Sequence, residues 1–303
     1  MQPATTDRSP GAYSFPLVAV IALWGTVPVI VRQVELPAAA IVATRLWLAA
    51  LGLAAVVVWE RRSQRVSGPT VFSVARGRCV AVSVVLAVHW VAEFAAYQRA
   101  PIGTVIFIVY LAPIGVALAA PRILGERLTS RTVGALALAF AGFALVAGGA
   151  VSSAALSGLV AAAVAAATFV LLILWSKPLA EIYGGVRTAL IEMTGAGALL
   201  VPVAAAASWG TPRPAWLWLV VLGIVHTAVA IAVYLHALPR VGATRTAILG
   251  YIEPASAVVW AWLFLSESPT VATVLGGVAI VIAATLVVNE TQQPAEVPVH
   301  VPR

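Results

Sequence analysis

The sequence predicts an all-α integral membrane protein of ten transmembrane helices, arranged as two inverted five-helix repeats. Three observations predict it. Hydrophobic residues fill 62% of the 303 positions and charged residues only 10%, with mean hydropathy +1.02. A soluble domain carries about 25% charged residues to solvate its surface, so the solvent for most of this chain is lipid. The apolar residues fall into ten stretches of spanning length, separated by turn chemistry. A set of residues in the first half recurs, in order, in the second.

The elements follow along the chain. A polar tail, 1–14, precedes the first span, 15–33, which ends before Glu35-Leu36-Pro37. The second, 37–59, stops at Glu60-Arg61-Arg62, where the longest polar loop begins; Ser67-Gly68-Pro69 lies within that loop. The third, 79–98, is parted from the fourth, 102–120, by Ala100-Pro101. The fifth, 131–150, ends at Gly148-Gly149. The sixth, 157–176, carries an alanine-rich run, 161–167, that permits close helix approach. Gly184-Gly185 opens the seventh, 186–207, and Gly210-Thr211-Pro212 closes it. The eighth is 216–238, the ninth 242–265 and the tenth 271–288, with Ser268-Pro269 between the last two. A Pro-rich tail, 289–303, follows. The two repeats are therefore 15–150 and 157–288.

Charge orients the spans. Ten crossings return both tails to one side. With the tails in the cytoplasm, thirteen of the 18 Lys and Arg residues lie on the cytoplasmic side and three outside, while Arg45 and Arg245 lie within spans. Positive residues are retained on the cytoplasmic face, so the chain is expected in the cell inner membrane with cytoplasmic termini. The net charge of +7 belongs to that pattern and calls for no nucleic-acid partner. One cysteine, Cys79, excludes an internal disulfide and a zinc cluster. No signal peptide is expected. The sequence holds no GxxxxGK[ST] loop, GxSxG elbow or HExxH pair. Neither metal nor cofactor is expected, no catalytic residue is assigned, and the longest water-facing loop is too short for a catalytic domain.

The duplication is ordered. Pro113 precedes Glu126 by thirteen residues and Pro254 precedes Glu267 by thirteen; Thr129 and Thr270 follow each glutamate by three. His89 precedes Tyr97 by eight, and His226 precedes Tyr234 by eight. Five spans per copy force opposite orientations, a recurrent plan of secondary transporters with the substrate site near the midplane. The turn glutamates read as helix N-terminal caps.

Trp24-Gly25, Arg45 and the segment Pro113…Gly125-Glu126-Arg127-Leu128-Thr129, with its second copy Pro254…Glu267…Thr270, resemble the EamA-type members of the drug/metabolite transporter superfamily. The resemblance covers nearly the whole chain between the tails. It implies ten helices, no ATP-binding machinery and movement of small metabolites, often export of amino acids. Ser266 stands where glycine is usual, and Glu253 directly precedes the second proline.

Ionisable groups inside a bilayer are costly and mark pathways or partners. His89, Glu93 and Tyr97 share one helix face, and His226 and Tyr234 repeat that face with Ala230 between them. With Trp24, Tyr110 and Glu253 they make the expected substrate pathway, and Glu93 and Glu253 the expected proton-coupling groups or partners of a substrate amine. The alternative for each is a structural bond to a neighbouring helix. Arg45 could attract a substrate carboxylate or snorkel to the outer interface, and with Arg245 it reads foremost as a gating or structural charge; Glu192 reads as a residue near the cytoplasmic edge that reaches it or pairs with Arg187. The expectation is a transporter, secondary active or facilitative, exporting small metabolites such as amino acids by alternating access. Its partners are the bilayer, a small-molecule substrate and a proton gradient, and its state monomer or homodimer. The rival readings are an intramembrane enzyme and a channel.

Overall fold

In a computed structural model, the structure describes residues 10–27, 30, 34, 36, 38–63, 69–97, 99–100, 102–147, 156–206, 213–265 and 269–289. Among them every regular element is a helix. The helices are α1 (Pro10–Trp24), α2 (Ala38–Arg62), α3 (Arg76–Tyr97), α4 (Ile102–Val109), α5 (Ala112–Ile123), α6 (Ser130–Ala147) and α7 (Leu156–Tyr183). Then come α8 (Gly185–Leu199), α9 (Val201–Ala205), α10 (Arg213–Val220), a π-helix π1 (Val221–Val229), α11 (Ala230–Val241), α12 (Ala243–Leu249), α13 (Ile252–Leu265) and α14 (Val271–Val288).

Seven helical runs are long and apolar enough to cross a membrane: Ala40–Arg62, Thr104–Ile123, Ser130–Ala147, Leu156–Tyr183, Ala215–Val241, Ala243–Phe264 and Val271–Val288. The chain is a multi-pass membrane protein. The other apolar stretches of the sequence are helical but less uniform. Ala12–Trp24 is shorter, α3 carries Arg76, Arg78, His89 and Glu93 within 22 residues, and α8 has 15 residues because the chain turns at Leu200.

Large apolar side chains such as Leu51, Leu118, Leu217, Leu263 and Leu275 are more than half exposed, as expected of a surface solvated by lipid. Such helices gain little from hiding apolar surface, so close packing must hold them together. The best case is α6 against α14. Gly142 and Gly276 oppose each other so closely that a Cβ on Gly276 would lie 2.4 Å from the Gly142 carbonyl oxygen. Ala135, Ala139, Ile280 and Ala283 are buried along the same seam. Elsewhere α3 packs on α7 and α8, α2 on α8 and π1, α1 on α11 and α13, and α5 on α7 and α12.

Two spans are broken at matching places. The chain interrupts its helix at Tyr110-Leu111, between α4 and α5, and at Gly250-Tyr251, between α12 and α13. Each tyrosine precedes a proline by three residues, Pro113 and Pro254. Proline offers no N–H to bond the preceding turn but fits the first turn of a new helix. The two breaks meet: the Tyr251 hydroxyl donates to the Tyr110 carbonyl at 2.8 Å, and Phe143 of α6 lies against both rings, 5.2 and 5.6 Å away.

The caps differ from expectation in one respect. Thr129 Oγ1 accepts from the Thr132 amide (3.0 Å) to start α6, and Thr270 Oγ1 from the Thr273 amide (3.2 Å) to start α14. The threonines are thus the caps of the helices that follow. Glu126 caps a helix more than a hundred residues away: its Oε1 accepts from Ala243 N (2.6 Å) and its Oε2 from Thr244 N (3.0 Å), at the start of α12. Lys177 Nζ, from α7, lies 3.2 Å from the same carboxylate. Gly242, at φ +94°, directly precedes α12 and lies beside the carboxylate. Glu267 lies outside the described residues.

Candidate functional site

The polar side chains of the spans gather where α1, α2, α3, π1, α11 and α13 approach one another. Arg45, half-buried on α2, spreads its guanidinium over the Trp90 ring, with Cζ 4.5 Å from the ring centroid. Its Nε donates to Thr227 Oγ1 at 3.1 Å. Glu93 of α3 and Glu253 of α13 both lie within electrostatic reach of Arg45. The Tyr110 hydroxyl donates to Glu253. Tyr234, buried on α11, lies within reach of Glu253 and of Glu192.

Glu253 is placed by the helix break. Gly250 and Tyr251 end the preceding segment, so Glu253 enters the first turn of α13 and not the middle of one long helix. A carboxylate there complements the partial positive charge of the helix N-terminus. The π-helix places the facing groups. A π turn closes a five-residue hydrogen-bond ring, and the polar side chains follow that spacing. Thr227 Oγ1 donates to Leu222 O at 2.7 Å, and His226 Nδ1 lies 3.3 Å from Val221 O. The His226 carbonyl accepts from Trp24 Nε1 at 2.8 Å, and its Nε2 bonds Thr26 Oγ1 at 2.8 Å.

The two histidines have parallel environments. His226 is held by α1 and the residues after it; His89 is held by α7, through Ala165 O at 2.9 Å and Thr168 Oγ1 at 3.3 Å. Phe169 stacks on His89 with centroids 5.4 Å apart, and Trp24 lies 5.5 Å from Tyr234. Both rings thus make the bonds to neighbouring helices that the structural alternative requires. His89 Nε2 lies 3.9 Å from Glu93 Oε2, within ion-pair range but beyond a hydrogen bond.

Trp24, Glu93, Tyr110, Tyr234 and Glu253 therefore belong to one neighbourhood with Arg45, and His89 and His226 stand at its edges. Arg245 sits on α12, on the other side of the break at Gly250. The side chain of Tyr97 lies outside the described residues. Glu192 departs from expectation: it is buried within α8 and accepts a hydrogen bond from Ser176 of α7, with no ion pair to Arg187 among the described residues. Five residues of separation put the two side chains about 140° apart around a helix, a signal the sequence did contain. Thr227 had no signal, because only the π-helical register turns it towards Arg45. Apart from this cluster, an apolar groove of about 430 Å³ runs between α2, α9 and α10, walled by Trp47, Leu48, Leu51, Val201 and Trp216.

The described residues contain no group of three His, Cys, Asp or Glu side chains that could hold a metal. What the cluster can do is bind. It offers one guanidinium, two carboxylates and aromatic walls inside a bilayer, a set suited to a small molecule with both polar and apolar parts.

Similar known proteins are named as transporters or exporters. A protein of Streptantibioticus cattleyicolor named probable terminal-alkyne amino-acid exporter is 29% identical over 195 residues, which span 62% of this chain and 64% of that protein. An uncharacterised transporter of Bacillus subtilis is 27% identical over 70% of each chain. Another, from Archaeoglobus fulgidus, is 27% identical over 64% of this chain and 69% of that one. A protein of known crystal structure shares the fold with a TM-score of 0.78, at 21% identity, over 91% of this chain and 97% of its own. The model of the EamA-like transporter family matches residues 12–148 and again 156–289; the chain belongs to that family.

Proposed function

We propose that this chain is a secondary transporter that exports small amino-acid-like metabolites across the inner membrane by alternating access. Its plan is ten helices in two inverted repeats, 15–150 and 157–288, with cytoplasmic tails. The observation that carries the reading is the convergence of Arg45, Glu93 and Glu253, with Trp24, Tyr110 and Tyr234, from both halves of the chain onto one intramembrane neighbourhood.

Several features support the plan. The family model matches each half once. The broken helices pair through Tyr110 and Tyr251, and contacts recur with halves exchanged: α1 on α11 as α7 on α3, and α1 on α13 as α7 on α5. On the predicted cytoplasmic face, Glu126 ties α12 to α7 through Lys177, which supports a state closed towards that side. The name of the Streptantibioticus relative supports amino acids as the substrate class.

Coupling to protons is supported by the His89–Glu93 pair. His89 Nδ1 lies 2.9 Å from the Ala165 carbonyl oxygen and Nε2 faces the Glu93 carboxylate at 3.9 Å, so two titratable side chains stand together inside the bilayer. Glu253 is the second carrier. The test is uptake into proteoliposomes of a metabolite panel with and without a pH gradient. Gradient-driven uptake that Glu93→Gln or Glu253→Gln uncouples is expected. Movement indifferent to the gradient and to both substitutions would remove the proton carrier. Chemical conversion of a compound, or large unitary currents, would replace the transporter by an enzyme or a channel.

A further inference from the structure

We propose that Arg45 is the anchor for a substrate carboxylate, with Thr227 the residue that positions it. The inference rests on the transporter reading and names the chemistry of its site; it departs from the gating or structural role that the sequence suggests for this arginine.

A guanidinium offers five N–H donors in a planar fork. Here one edge is occupied, because Nε donates to Thr227 Oγ1. One face is occupied, because Cζ lies over Trp90. Thr227 cannot turn away, since its own proton is committed to Leu222 O, and the hydroxyl presents a lone pair to Arg45. The remaining edge, Nη1 and Nη2, makes no hydrogen bond or ion pair with any described residue. Two parallel N–H donors on a restrained plane are the geometry that grips a carboxylate at both oxygens.

An arginine retained only for structure would be expected to pair with the carboxylates near it. Glu93 and Glu253 influence Arg45 electrostatically, while the hydrogen bond that holds its guanidinium goes to Thr227. Glu253 is engaged by the Tyr110 hydroxyl, and Glu93 faces His89. The site thus presents positive and negative groups to one neighbourhood. A ligand bearing a carboxylate and an ammonium joins them, with its carboxylate on Arg45 and its ammonium towards Glu253. The ligand class is an α-amino acid with an apolar side chain.

The test is counterflow of radiolabelled L-leucine in proteoliposomes, competed by leucinamide and by isopentylamine, which is leucine without its carboxylate. Arg45→Lys keeps the charge and loses the fork. It is expected to raise the half-saturating leucine concentration about 10- to 100-fold, the value of one or two charged hydrogen bonds, and to leave competition by isopentylamine unchanged. Thr227→Val is expected to weaken leucine several-fold, and Thr227→Ser to restore it; both are checked for a native elution profile. Equal loss of leucine and isopentylamine recognition in Arg45→Lys would overturn the anchor in favour of a structural role. So would a wild-type chain on which leucinamide competes as well as leucine. A wild-type chain that moves amines but no carboxylate-bearing compound would overturn the anchor alone. Failure to move any probe, or conversion of one, would overturn the transporter reading with it.

Discussion

Two neighbouring glycines of α14 test the packing argument, because the structure assigns them opposite fates. A methyl group on Gly276 would lie 2.4 Å from Gly142 O, 2.9 Å from Leu145 Cβ and 2.9 Å from Val146 N. Two of those atoms are backbone, so no rotamer change makes room. The C···O contact must open from 2.4 Å to about 3.3 Å, which pushes α14 off α6 along a seam that includes Ala139, Phe143, Ile280 and Ala283. Overpacking of this kind costs about 1–3 kcal/mol. A methyl group on Gly277 meets nothing within 4 Å. There the substitution only removes glycine's conformational freedom, worth up to about 1 kcal/mol in favour of the helix. The assay is thermal unfolding of the purified chain in one detergent. At roughly 2–4 °C per kcal/mol for a chain of this order of size, Gly276→Ala should melt several degrees below wild type and Gly277→Ala at or above it. Equal shifts for the two variants, or a Gly276→Ala variant as stable as wild type, would refute the claim that backbone contact between α6 and α14 holds the helices together.

Cys79 is the sole cysteine and fully buried, so single cysteines introduced elsewhere can be labelled against a low background. Under the two-repeat plan, a cysteine at exposed Gly125 should react with an impermeant maleimide only from the cytoplasm, and one at exposed Thr270 only from outside; labelling from the same side would sink the inversion. Glu126→Ala removes a cap and an ion pair at once, and should cost about 1–2 kcal/mol while raising maleimide labelling of a cysteine placed at Ala243; unchanged labelling would show that the carboxylate does not hold α12 closed. Gly25→Ala puts a methyl group 2.2 Å from Ser256 Oγ and 2.7 Å from Ala257 N, whereas Gly115→Ala meets only the Val170 side chain, at 2.8 Å. Val170→Ala should therefore rescue the thermal stability of Gly115→Ala, and Ser256→Gly should fail to rescue Gly25→Ala; rescue of both would place the strain in side chains alone.

The membrane class was legible because composition is a property of the solvent: 10% charge cannot cover a soluble surface. The helix breaks were legible in part, since Pro113 and Pro254 mark them, but not which tyrosine would bridge them. Glu126 shows the limit. Its distance from Thr129 suggested a local cap, and nothing local reveals that its carboxylate faces Ala243 and Thr244. The π-helix was invisible for a similar reason. Val221–Val229 reads as an ordinary apolar helix, and its wider register shows only in the bonds that His226 and Thr227 make to carbonyls five residues back. Glu192 was misplaced by reading a charge near a span's edge as interfacial, where the structure buries it against Ser176.

Under the two-repeat plan, like positions carry unlike side chains, and the differences sort by role. At the seam of α6 and α14 the difference is steric. Gly142 opposes Gly276, and the corresponding pair 141 residues on is Ala135 and Ala283, all four of them small. Where the end of α1 meets α13, the glycine directly follows α1, as Gly25 against Ser256. Where α7 meets α5, it is on α5, as Gly115 against Val170. One small residue per contact suffices for close approach, whichever partner supplies it. In the polar cluster the difference is chemical. Glu93 of α3 answers to Ala230 in the second half, and Glu253 to Ala112 in the first. Under that plan each half contributes one carboxylate near Arg45 where four would crowd it. The packing seams are then nearly symmetric while the polar cluster is asymmetric, an arrangement that fits the proposed rocking around a ligand with distinct ends.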